Sequence, residues 1–273
     1  MPRLLLILLL LLPALSPAGT PERVVSVNLC TDQLLLLLAD PGQIASVSRL
    51  ALEPESSYMA RAARRHPVND ARAEQLLALQ PDLVLAGRYS PRPLLQLLRR
   101  LGYRVEQLEL PRSLEEIRRN IRRVAALLGR ERRGEVLIRE MDRRIGAVAA
   151  TFDGTTERPA ALFYQPRGYT SGRDTLQDQA LRLAGWRNLA AEAGIEGYGH
   201  IDLERLLLGR PQQIFTSAYA PGSRSLAQHL LQHPALRRIT AGRPMVNVDY
   251  RYWICGGPMI ADAVEALARA HRR

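Results

Sequence analysis

The chain has 273 residues and a formal charge of +11, from 38 basic against 27 acidic side chains, and every basic residue is arginine. That length accommodates one large or two ordinary domains and buries a sizeable core. The arginines are scattered through amphipathic segments rather than gathered with aromatics into a patch, which argues against nucleic acid as a partner, and two cysteines, Cys30 and Cys255, exclude a disulfide-built scaffold.

Arg3 is followed by an apolar run, Leu4 to Leu12, too short to span a bilayer and closed by Pro13. Residues 1–18 therefore read as a secretory signal peptide. Ser16-Pro17-Ala18 supplies the small residues of a cleavage site, which places the cut after Ala18 and the mature protein in the periplasm; a retained N-terminal anchor is the alternative.

Strand-like and helical patterns then alternate, the signature of βα units in a parallel sheet. Strands are predicted at Val24 to Asn28, Ile44 to Val47, Leu83 to Ala86 and Arg104 to Leu108, with helices at Thr31 to Leu38, Ala73 to Leu79 and Pro93 to Leu101. Residues 19–112 thus form an α/β lobe. Residues 113–153 read as a helical linker: Ser113 with Glu116 makes a capping box that starts one helix, and Glu131 to Phe152 continues as a longer one. Alternation resumes over 154–273, a second α/β lobe with strands at Ala160 to Tyr164, Gln213 to Thr216 and Pro244 to Val248. Its predicted helices are Thr175 to Ala184, Leu203 to Leu208, Ser225 to Gln232 and Pro258 to Ala270.

The second half repeats the first. Glu74 to Val84 (EQLLALQPDLV) aligns without a gap on Glu204 to Ile214 (ERLLLGRPQQI), and Tyr89 and Tyr219 each sit five residues further on. The fold class is therefore α/β: two pseudo-repeated lobes with parallel sheets, joined by a long linking helix, each expected to form its own small core. Open parallel sheets carry functional loops at the carboxyl ends of their strands, so facing lobes define one ligand cleft. Tyr58, Tyr89, Tyr169, Tyr198, Tyr219, Tyr250 and Tyr252 all fall in predicted loops. Tyrosine is amphipathic and loses little freedom on ordering, which suits a large, partly polar ligand.

Arg23 to Asn28 running into a helix, the segment Leu76 to Ala86, the long linking helix, the turn Thr170-Ser171-Gly172 and the passage from Val248-Asp249 to Trp253 and Pro258 together resemble the helical-backbone class of ABC-transporter substrate-binding proteins. The resemblance covers essentially the whole mature chain. It implies a monomeric, non-enzymatic protein that captures a bulky metal chelate, a ferric siderophore, cobalamin or haem, and delivers it to an ABC-transporter permease in the inner membrane. No separate cofactor is implied, because the cargo itself carries the metal. In cobalamin-binding members one glutamate per lobe docks on permease arginines, and the matching positions are Glu74 and Glu204. First-turn glutamates are also favoured by the helix dipole, so the two roles are compatible.

Asn28 or Thr31 can cap the helix after the first strand, and Asn28, Cys30 and Thr31 stand where a helix N-terminus faces the cleft. Arg88, Arg167 and Arg251 accompany tyrosines after three different strands, which favours an anionic ferric chelate slightly over cobalamin. Trp253 is a packing anchor or a ligand platform. Ligand-binding candidates are accordingly Asn28, Cys30, Thr31, Tyr58, Arg88, Tyr89, Arg167, Tyr169, Tyr219, Tyr250, Arg251 and Trp253. His66 and His200 lie in loops, whereas His229, His233 and His271 lie in or beside helices, which disfavours a bare zinc or manganese site; for haem, Tyr58 or Tyr169 would be the tyrosinate ligand. A periplasmic hydrolase is the competing class, although nucleophile-elbow, phosphate-loop and HExxH motifs are missing. Oxidising surroundings favour pairing Cys30 with Cys255. A bridge would need Cα atoms within about 7 Å, however, closer than the walls of a chelate-sized cleft, so thiols, free at the cleft or packed, are expected over the bridge.

Overall fold

The computed structural model describes residues 19–217, 234–240 and 242–272. The predicted signal peptide, the predicted helix Ser225 to Gln232 and Tyr219 lie outside the described residues.

In chain order the first lobe holds β1 (Val24–Ser26), α1 (Leu29–Leu38), β2 (Ile44–Ser48), α2 (Ala60–Ala63), β3 (Val68–Asn69), α3 (Ala73–Ala78), β4 (Leu83–Gly87), α4 (Arg92–Arg100) and β5 (Val105–Leu108). Its strands form one parallel sheet in the order β3-β2-β1-β4-β5. The linker is α5 (Leu114–Leu127) and α6 (Glu131–Ala150), with Gly129 at a φ of +64° turning one into the other. The second lobe holds β6 (Ala160–Phe163), β7 (Tyr169–Ser171), α7 (Leu176–Leu183), β8 (Arg187–Asn188), α8 (Leu189–Glu192), β9 (Tyr198–His200), α9 (Leu203–Gly209), β10 (Gln213–Thr216), α10 (Pro234–Ile239), β11 (Val246–Asn247) and α11 (Ile260–Arg269). Its parallel sheet runs β11-β10-β6-β8, and β7 and β9 pair separately as an antiparallel ribbon.

Local chemistry sets several boundaries. The Asn28 carboxamide accepts from the amide of Cys30 at 3.0 Å, so the first strand stops at Ser26 and α1 begins two residues earlier than predicted. Ser113 Oγ accepts from the Glu116 amide at 3.2 Å, while the Glu116 carboxylate accepts from the Arg112 amide at 2.6 Å. That is the predicted capping box, displaced by one residue on its return bond.

The repeat is physical as well as textual. Leu76 and Leu206 are fully buried, as are Val84 and Ile214. The helix of each copy ends at a left-handed residue before proline, Gln80 (φ 45°) and Arg210 (φ 43°). Asp82 donates its amide to Arg23 O at 3.1 Å, and Gln212 donates to Ala160 O at 2.8 Å, which starts the β4 and β10 pairings identically.

Strand alternation divides the interior in a way the expected pair of small cores did not anticipate. Val24, Leu83 and Leu85 of the first sheet, and Ala161, Phe163 and Phe215 of the second, all belong to one continuous core with Ile117, Ile121 and Val124 of α5 and Ile138, Met141 and Ile145 of α6. The opposite faces feed two satellites, one around Val25, Val84 and Leu95, the other around Leu162, Leu206 and Ile214. Period-two side chains put alternate residues on opposite faces, and both inward faces find the linker helices between them. The lobes therefore share a core.

Candidate functional site

Between the lobes lies a cavity of about 370 Å³. The start of α1 supplies Asn28, Cys30 and Thr31, the loop after β4 supplies Gly87, Arg88 and Tyr89, and the second lobe closes it with Tyr250, Ile254 and Cys255. Leucines from both sides of the first sheet's loops make most of the remaining wall apolar. At Gly87 a Cβ would stand 2.5 Å from Asn28 Oδ1, so only glycine lets β4 end against the cap of α1.

The cysteines correct the sequence-based expectation. Cys30 and Cys255 form a disulfide with Cα atoms 4.8 Å apart, and both line the cavity. The lobes meet at this wall, so the cleft is narrower here than a wide gap would require, and a bridge fits the normal Cα range.

Of the candidate ligand residues, Asn28, Cys30, Thr31, Arg88, Tyr89 and Tyr250 reach the cavity. Thr31 is fully buried, donating to Asn28 O at 3.0 Å and bonded to Ser26 Oγ at 2.8 Å, so its hydroxyl is already committed. Tyr89 is 77% exposed at the mouth. Tyr169 belongs to strand β7 rather than a loop, and its ring lies parallel to Tyr198 of β9, with centroids 6.0 Å apart and planes 6° apart. His200 sets its edge against Tyr169 at 5.5 Å. Burial raises the Tyr198 phenol above its ordinary pKa, against a hydrogen bond to Gln177. Neither Tyr169 nor Tyr198 lines the cavity. Tyr198 fell among the loop tyrosines of the sequence but its pairing across a ribbon carries no local signal.

The others are placed differently. Tyr58 donates to Asp262 at 3.2 Å and leans on Tyr252 at 6.1 Å, tying the first lobe to α11 outside the cavity wall. Arg144 of α6 joins the same point, 2.8 Å from both Asp262 and Glu265. Trp253 is only 5% exposed, donates to Ser217 Oγ at 2.9 Å and meets Phe163 edge-on at 4.8 Å. It is a packing anchor, because burial and a satisfied indole leave no face for a ligand. Arg251 is held by Asp249 at 2.5 Å, and the guanidinium's bonds overcome burial to keep the Asp249 carboxyl below its usual range. Arg88 pairs with Glu109 at 3.1 Å. Arg167 is exposed in a left-handed turn (φ 63°) and does not line the cavity. Glu74 and Glu204 are both exposed in first turns, of α3 and α9, with no ion pair among the described residues. Among the described residues no three metal-ligating side chains converge.

Comparison with known proteins agrees with this architecture. Residues 24–244 match the family described as periplasmic binding protein. A cobalamin-binding protein from Halobacterium salinarum is 26% identical over 86% of this chain, which spans 64% of that relative's length. A vitamin B12-binding protein from Photorhabdus laumondii is 24% identical, covering 92% of this chain and 88% of its own. Among solved structures, a periplasmic haem-binding protein from Roseiflexus sp. RS-1 superimposes with a TM-score of 0.73 at 27% identity, over 91% of this chain and 98% of that one. With two parallel sheets about one cleft and a family match over most of its length, the chain belongs to the periplasmic binding protein family.

Proposed function

We propose that this protein is the solute-binding component of an ABC importer and that its cargo is a metal tetrapyrrole, of the corrinoid or haem type. One observation carries this reading: an apolar cavity between the lobes with the exposed Tyr89 at its mouth and Tyr250 in its wall. An apolar wall with aromatic side chains at its edge suits the face of a large macrocycle. The names of the relatives, which bind cobalamin, vitamin B12 and haem, support the same class. The slight preference for an anionic ferric chelate over cobalamin draws no support from the three arginines it was read from, since Arg88 and Arg251 are paired with Glu109 and Asp249 and Arg167 does not line the cavity. A hydrolase has less support, since the Thr31 hydroxyl is committed to Ser26 and Asn28.

Delivery would follow export to the periplasm and docking through Glu74 and Glu204. Titration of purified protein with cyanocobalamin, haemin and ferric hydroxamate and catecholate chelates tests the cargo class. Stoichiometric binding of a tetrapyrrole without turnover is expected; tight binding of a siderophore alone would overturn it.

A further inference from the structure

The apolar cavity does not end at its wall. A second recess of about 470 Å³ opens beside it, and the two share Arg88, Glu109, Leu110 and Asn120. This annex has a different chemistry. Four arginines, Arg88, Arg112, Arg119 and Arg123, line it against two glutamates, Glu109 and Glu116. Arg88 is paired with Glu109 and Arg123 with Glu106. Arg119 reaches Glu116 only at 3.8 Å, and Arg112 has no ion pair among the described residues. The Glu116 carboxylate also accepts from the Arg112 amide at 2.6 Å.

We infer that the annex is an anion subsite, in which Arg112 and Arg119 hold the carboxylate-bearing edge of a cargo whose apolar face occupies the cavity. This rests on the tetrapyrrole reading and narrows it, because an amphipathic disc with an acidic edge uses both recesses whereas a macrocycle bearing neutral amides leaves the arginines idle. Guanidinium forks bind carboxylates bidentately, and such charge-assisted bonds outweigh neutral ones. Exposure to solvent tempers the gain and makes it sensitive to salt.

The test compares haemin, its dimethyl ester and cyanocobalamin by fluorescence quenching on the wild type and on the double variant Arg112→Ala with Arg119→Ala. Both side chains are exposed, so folding should survive; circular dichroism checks it, and Arg112→Gln with Arg119→Gln serves if the alanine form fails. Haemin should bind about tenfold more tightly than its ester, corresponding to one charge-assisted contact. That gap should close in the variant and narrow at high salt. Equal affinities for acid and ester, or a gap that persists in the variant, overturns the subsite. Cyanocobalamin binding with no acid–ester gap leaves the tetrapyrrole reading standing and removes the annex. Failure of all three ligands to bind removes both.

Discussion

Cys30, the second residue of α1, is covalently joined to Cys255 in the last loop of the second lobe, across a sequence separation of 225 residues. The bond lies in the cavity wall itself. Replacing both cysteines by serine should lower unfolding free energy by about 2–4 kcal/mol, the usual contribution of a native disulfide. Guanidinium unfolding of oxidised wild type and variant checks this; coincident midpoints would contradict it. Titration of denatured, unreduced protein should find no free thiol.

Asp32 is sealed inside α1, where Ser48 donates its amide at 2.9 Å and its hydroxyl at 2.5 Å. Burial outweighs these bonds and raises the carboxyl from 3.8 to about 6. The folded state thus holds the proton more tightly than the unfolded chain. Stability therefore falls as pH rises from about 4 to about 6, by on the order of 3 kcal/mol, and the loss is complete above that window. Asp32→Asn keeps one acceptor for the Ser48 amide and offers a donor to its hydroxyl, as the protonated acid does. The variant should match wild type near pH 4 and exceed it at pH 7. A constant difference across that range, followed by chemical denaturation, would refute the account.

How legible this was depended on range. Local rules located the caps at Asn28 and Ser113, and the repeat found both Glu74 and Glu204 and the paired strand entries at Asp82 and Gln212. Long-range partners were not legible. The sequence cannot say that Phe163 of one lobe and Ile121 of the linker share a core, and that sharing is what brings Cys30 to Cys255. Short strands such as β7 and β9 look like loops in the sequence because three residues carry no detectable period, and the Tyr169–Tyr198 pair is hidden with them. Arginines misled for the converse reason: their neutralising partners, Glu109 for Arg88 and Asp249 for Arg251, emerge only from the folded loops.

Docking makes a separate prediction. Glu74 and Glu204 occupy equivalent exposed positions on α3 and α9, and neither lines the cavity. Reversing both to arginine should abolish uptake in cells while purified protein keeps its ligand affinity within about twofold, since a rim charge steers and orients a partner rather than holding the cargo. Loss of binding in the purified variant would show that the glutamates serve the cleft instead.

Lobe motion follows from what joins the lobes. A hinge-closing protein separates two cores by flexible strands and pivots freely between them. Here the inward faces of both sheets pack on α5 and α6 as one core. Tyr58 reaches Asp262 at 3.2 Å on one flank, Arg144 holds Asp262 and Glu265 from the linker at 2.8 Å, and the disulfide closes the cavity wall. Opening would have to shear packed side chains as well as break these ties, and packed interiors do not deform continuously. Ligand entry should therefore involve the side chain at the mouth, Tyr89, with the lobes nearly fixed. Small-angle scattering of free and loaded protein should give superimposable profiles. Reduction of the disulfide should speed ligand release through a looser wall while the shared core keeps the profile unchanged. A large contraction on loading would mean that the core yields and that the cleft works by closure.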